Sequence, residues 1–243
     1  MTVTEFILLS FKHPSSSPSA AWADVTSSLK SVPGVTSLFT GPQLEDPSRH
    51  LLVINWASPE AFSAFASSES YTPWFASLKA ITATDPAPVF YKAPLVSVSG
   101  AGGDDDQQGQ ETALRAPCTE VFVAYGVEPD FIGKTAAFAG GLSAAEIAGF
   151  HGHAYGEVST PLASGAEGEK GPAVTLLLGW DSKEAHLEAK GKAGPISDNV
   201  HLLRSGRKEI AMVSSVEWLL PHARVANIAQ VPCESQANLN GGS

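Results

Sequence analysis

The residues best suited to chemistry in this sequence cluster in the run Phe150-His151-Gly152-His153-Ala154-Tyr155, with Tyr125 at the end of an apolar run upstream. Histidine titrates near neutral pH, so it takes or gives a proton under physiological conditions. A tyrosine hydroxyl can hold the oxygen of a developing enolate. In an extended strand, residues two apart share a face. The spacing therefore predicts His151, His153 and Tyr155 on one face of one strand, a proton-transfer site to which Tyr125 adds a second hydroxyl. The competing reading is a solvated strand face with cross-strand pairs.

Two histidines at i and i+2 on a strand can also ligate one metal ion, with a third ligand from His186, His201 or Glu157. No cysteine cluster or His-Glu-x-x-His motif accompanies them. Haem would need only one axial histidine. The expectation is a site without cofactor or metal, with haem and a His-ligated metal left open. There is no P-loop, Gly-x-Gly-x-x-Gly, Gly-x-Ser-x-Gly or EF-hand pattern.

This strand stands out because the chain contains its own comparison. Thr4-Glu5-Phe6-Ile7-Leu8-Leu9 returns as Thr119-Glu120-Val121-Phe122-Val123-Ala124, and Gly34–Gly41 returns as Gly149–Gly156 at the same offset of 115 positions. Asn55-Trp56-Ala57-Ser58-Pro59-Glu60-Ala61 returns as Gly179-Trp180-Asp181-Ser182-Lys183-Glu184-Ala185, so the second copy has nine extra residues, placed in the Gly- and Glu-rich stretch 160–171. At matched positions Ser10 becomes Tyr125, Thr36 becomes His151, Leu38 becomes His153, Thr40 becomes Tyr155 and Phe62 becomes His186. Polar replacements on one side only mark the second copy as the working half.

Each copy must supply the elements that position these residues, and each reads as βαββαβ. In the first, an apolar strand over 5–11 precedes a helix introduced by Ser17-Pro18, with Trp22, Val25, Leu29 and Val32 at helical spacing. Strands over 35–40 and 50–56 follow. Ser58-Pro59-Glu60 opens a second helix, 71–81 continues or repeats it, and 89–98 is the last strand. The second copy runs as a strand over 119–127, a helix over 129–147 broken at Gly140-Gly141, strands over 150–158 and 173–180, helical turns over 182–203 broken near Gly194-Pro195, and a strand over 209–220. Strands apolar on both faces need cover on both. The predicted fold class is α+β: two ferredoxin-like βαββαβ repeats, 1–98 and 118–222, packed sheet to sheet as an intramolecular pseudo-dimeric α/β barrel. An acidic Gly/Asp/Gln-rich stretch, 99–117, is the predicted flexible linker, and 223–243 a polar tail.

The chain has 243 residues, 43% hydrophobic and 16% charged, enough apolar material for a core. Its net charge of −10 opposes phosphate backbones and anionic membrane surfaces, so neither nucleic acid nor membrane is an expected partner. No run of about 18 apolar residues and no signal peptide is seen. Cys118 and Cys233 are too few for a disulfide framework. The expectation is a cytoplasmic protein, a monomeric pseudo-dimer or a higher homo-oligomer. Its partner would be a hydrophobic small molecule in a helix–sheet cleft. Candidate substrate contacts are His186, Trp180, Trp22, Phe62, Tyr71 and Trp74. The plainer reading of His186 is a core histidine with one hydrogen bond, and of the aromatics a packed core.

A strand ending in Trp, then Ser as helix cap, then Glu-Ala and an aromatic or His resembles the antibiotic-biosynthesis-monooxygenase branch of the dimeric α/β-barrel superfamily. Trp56-Ala57-Ser58-Pro59-Glu60-Ala61-Phe62 and Trp180-Asp181-Ser182-Lys183-Glu184-Ala185-His186 carry that resemblance, in register, over most of 3–220. It implies two normally separate subunits made covalent. The functions it implies are diverse: cofactor-free quinone-forming monooxygenases, polyketide cyclases, haem enzymes and small stress-responsive proteins. The leading expectation is a cofactor-independent cyclase of secondary metabolism, closing an apolar polyketide- or terpenoid-like substrate by aldol-type or pericyclic (Diels–Alder-type) chemistry. The alternatives are a cofactor-free monooxygenase of a phenolic substrate and a non-catalytic stress-responsive binding protein.

Overall fold

The computed structural model describes residues 1–13, 19–97, 112–165 and 168–218. The expected cap Ser17-Pro18 and the tail 223–243 lie outside them. The first copy is β1 (Val3–Ser10), α1 (Ala20–Lys30), β2 (Val35–Pro42), β3 (Arg49–Trp56), α2 (Pro59–Ala66), α3 (Tyr71–Ile81) and β4 (Val89–Ala93). A one-turn helix, α4, occupies 112–115. The second copy is β5 (Cys118–Tyr125), α5 (Phe131–Ser143), β6 (Phe150–Glu157), β7 (Ala173–Trp180), α6 (Lys183–Gly191), α7 (Pro195–Asn199), a 3₁₀ turn (Val200–Leu203) and β8 (Glu209–Glu217). The same local signals start matching helices. Ser58 accepts from the Ala61 amide at 3.2 Å, and Ser182 from the Ala185 amide at 3.1 Å, each satisfying a donor the helix start leaves open.

The two antiparallel sheets have orders β2-β3-β1-β4 and β6-β7-β5-β8. Their facing sides share one apolar core, with Phe6, Leu51 and Val53 from one sheet and Val121, Val123 and Leu177 from the other. Alternate residues of the same strands turn outward to helical layers. Ile7, Leu52 and Trp56 meet α1, while Leu176, Leu178 and Trp180 meet α5. This double burial is why the strands are apolar on both faces. The sheets meet edge to edge at single bridges, Gln43 to Val216 and Val96 to Tyr155, so they face each other without closing into one continuous hydrogen-bonded barrel.

Three expectations need correction. β4 stops at Ala93, because Pro94 has no amide to donate; Val96 then pairs with the other sheet. α5 runs unbroken through Gly140-Gly141. Gly141 serves packing instead: a Cβ there would stand 2.8 Å from the Asn199 side chain. The end of the stretch expected to be linker is core, with Ala113, Leu114 and Ala116 all but inaccessible. The Thr119 hydroxyl donates to the Ala113 carbonyl at 2.7 Å, and Gly179 leaves room for this turn. No helix among the described residues is long and apolar enough to cross a membrane.

Candidate functional site

The expected His/Tyr face does not form as one surface. The β6–β7 register slips between Phe150 and Gly152, so His151 is the extra residue of a bulge and leaves the alternation. Its Nε2 lies 2.6 Å from Asp181 Oδ1 at the exposed rim. His153 and Tyr155, two apart beyond the bulge, do share a face, and their rings stack with centroids 6.1 Å apart. That face is buried beneath α5, where His153 Nδ1 sits 2.8 Å from Ser143 Oγ. Tyr125 points the other way, into the core between the sheets. The three groups cannot act on one substrate atom, and His151 and His153 do not converge on one metal ion.

Burial pushes the His153 pKa down to about 4, so the ring is neutral at physiological pH. An unfolded histidine titrates near 6.5, so on acidification the unfolded chain takes up this proton first. The contribution of His153 to stability is complete above that value and is lost as pH falls towards 4. At roughly 1.4 kcal/mol per unit this amounts to about 3 kcal/mol. Urea unfolding across this range should show a steep loss for the native chain and a shallower one for His153→Asn. His50, also buried with a lowered pKa, acts in the same direction in both proteins, so the difference isolates His153.

A second polar group proves better placed. Glu5 and Glu120, the third residue of β1 and of β5, both turn into their helical layers. In the first copy Trp56 Nε1 donates to Glu5 Oε2 at 3.1 Å, and Lys92 Nζ stands 3.1 Å from Oε1. The same ammonium lies 3.7 Å from the centre of the Phe62 ring. Burial raises the Glu5 pKa, with Lys92 opposing it. In the second copy the tryptophan is kept as Trp180, while Lys92 and Phe62 are both exchanged. Ser215 faces Glu120 across β5–β8, where Lys92 faces Glu5 across β1–β4. His186 occupies the place of Phe62, stacks on Trp180 with centroids 5.1 Å apart, and sets Nδ1 directly against Glu120 Oε1. Glu120 Oε2 and Trp180 Nε1 are buried without a partner among the described residues.

His186 also lines a cavity of about 210 Å³ between the second sheet and its helices. Phe122, Leu176 and Leu178 form the sheet side, and Phe138, Ile196 and Leu203 the helical side. With a carboxylate accepting from Nδ1–H, the imidazole presents Nε2 as the nitrogen that can exchange a proton with the cavity. A residue on the cavity wall is thereby prepared to accept a proton from a molecule inside, and the carboxylate stabilises the imidazolium that forms.

The corresponding cleft of the first copy is filled. Phe65 packs against Trp56, Tyr71 and Trp74 at centroid distances of 5.4–5.6 Å, and Trp74 Nε1 donates to the Val25 carbonyl. Trp22, Phe62, Tyr71 and Trp74 therefore belong to the first half's core and do not line the cavity. Trp180 stands behind His186. Of the expected contacts, His186 alone is at the cavity wall. In the sequence Glu120 carries one signal, a carboxylate inside an otherwise apolar strand, repeated in both copies. The exchange of Phe62 for His186 is another.

No protein-family model and no curated protein matches the chain. Solved structures do share its fold. One, described as an anthrone oxidase-like protein, superposes with a TM-score of 0.65 at 16% identity, over 95% of this chain and 96% of that one. A candidate monooxygenase from Fusobacterium nucleatum subsp. nucleatum gives 0.59 at 12% identity, over 90% and 93%. A candidate monooxygenase from Lactobacillus acidophilus gives 0.52 at 7% identity, over 89% and 93%. Coverage of nearly the whole of both chains means that the tandem arrangement is shared, and not the single repeat alone.

Proposed function

We propose that this chain is a cofactor-independent monooxygenase that deprotonates an apolar small molecule at the His186–Glu120 pair and passes the resulting enolate or phenolate to dioxygen. The observation that carries this reading is the carboxylate-held imidazole on the wall of an apolar cavity. His186 Nε2 takes the proton from a carbon acidified by a neighbouring carbonyl or aryl group. Glu120 holds the imidazolium, and the apolar walls keep water from quenching the carbanion. The substrate itself is the reductant: a methylene becomes a carbonyl, one oxygen atom enters it, and the other leaves with the two hydrogens as water. That the solved structures of this architecture include proteins described as oxidase-like or as monooxygenases supports oxygenation as the step after proton removal.

Of the two expected cyclases, the aldol type shares the first step and differs in the fate of the anion, which would close on a carbonyl of the same molecule, whereas the pericyclic type would need neither the base nor oxygen. An oxygen electrode separates oxygenase from cyclase with anthrone as the probe. Oxygen uptake matching anthrone loss one to one, and falling to the uncatalysed rate in His186→Gln, is the expected result. Anthrone consumed without oxygen uptake would remove the oxygenase. Binding of anthrone without consumption, and without exchange of its methylene hydrogens into deuterated water, would leave only a binding protein.

A further inference from the structure

The mouth of the cavity differs from its walls. Lys190 and Arg204 are exposed, Arg207 is half-buried, and all three line the same opening as His186. Arg207 Nε donates to the Leu203 carbonyl at 2.6 Å, which anchors the guanidinium, and among the described residues its two terminal amino groups have no partner. Among the described residues none of the three cations forms an ion pair, and no acidic side chain lines the cavity. In a chain with 15 Lys and Arg against 25 Asp and Glu, three cations at one apolar opening with no ion pair among the described residues are a local reversal of sign. Such a reversal raises the local concentration of anions, and guanidinium groups match a carboxylate in shape and charge.

We infer that the substrate is an amphipathic organic acid, with a fused-ring or similarly flat apolar body in the cavity and an ionised carboxylate held at the mouth by Lys190, Arg204 and Arg207. This rests on the proposed reading of the cavity as the substrate site. The carboxylate fixes which end enters first, so the acid orients its own carbon towards His186.

Calorimetric titration of the whole chain with 2-naphthoate and 2-naphthamide, equal in shape and different in charge, tests it. The expected result is at least about tenfold tighter binding of the acid at low salt, narrowing at high salt as exposed charges are screened. Arg204→Gln/Arg207→Gln should abolish the preference while keeping the amide affinity, which shows that the cavity is intact in that variant. Lys190→Gln should narrow it without disturbing the Arg207 anchor. Equal affinities in the native chain, no binding of either probe at millimolar concentration, or a preference that survives the double arginine variant would each overturn the inference. His186→Gln should keep the acid preference and lose turnover. Turnover retained there, with the preference intact, would remove the proposed base and leave the carboxylate site standing.

Discussion

Glu120→Gln should lower kcat/KM for the proposed oxygen-consuming reaction by about 10²–10⁴-fold, the range expected when a positioned base loses its function. The amide keeps the shape of the carboxylate and a hydrogen bond to Nδ1, but it cannot stabilise an imidazolium. His186→Gln falls by a similar factor, and the double variant falls little further, because the two groups act as one unit. Stability behaves differently. His186→Phe restores the residue found at Phe62 but strands the Glu120 carboxylate in an apolar layer. Removing one partner of a buried pair costs about 3–5 kcal/mol. His186→Phe should therefore lose both stability and activity. Steady-state kinetics and urea unfolding on these four variants, each against the native chain, check both halves. Activity surviving in Glu120→Gln would place the chemistry elsewhere.

Gly156→Ala destabilises the chain by about 3 kcal/mol, at the upper end for overpacking, since the obstacle is backbone. A Cβ at Gly156 would lie 2.1 Å from the Pro94 carbonyl oxygen. Neither strand can yield, because Val96 and Tyr155 exchange two backbone hydrogen bonds of 2.9 Å beside it, and the Ser159 amide donates to the Lys92 carbonyl at 2.7 Å. These bonds form one of the seams between the two copies, so the loss should appear as separation of the sheets, with faster proteolysis. Gly133→Ala is the control. A Cβ there meets nothing within 4 Å, and alanine in a helix interior is better than glycine by about 1 kcal/mol. Urea midpoints moving in opposite directions for the two variants are the expected outcome.

The two copies show how far internal repetition carries. Matching Glu5 with Glu120, Trp56 with Trp180 and Ser58 with Ser182 predicts the element order, the helix caps and the place of the loop insertion. These are local properties, written in periodicity, caps and offsets, and the structure follows them closely: α3 and β7 span the expected residues. The polar replacements that set the second copy apart include His186. A shared face for His151, His153 and Tyr155 requires an unbroken alternation along β6. One bulged residue is enough to defeat that, because the slip moves His151 off the face.

What the sequence determined alone is thus the tandem βαββαβ architecture, since each element is selected by residues near one another in the chain. The pair proposed to carry the chemistry was decided by tertiary structure. Glu120 lies on β5 and His186 on α6, and nothing local joins them. They meet because the alternation of β5 turns Glu120 towards the helices, and because α6, capped by Ser182, presents the turn that carries His186 over that position. The cavity has the same origin. The first copy fills this cleft with Phe65, Tyr71 and Trp74, and the second leaves it open beneath the shorter α7 and its 3₁₀ turn. Whether a histidine is core or site depends on the empty volume beside it, and volume is a property of the packed chain.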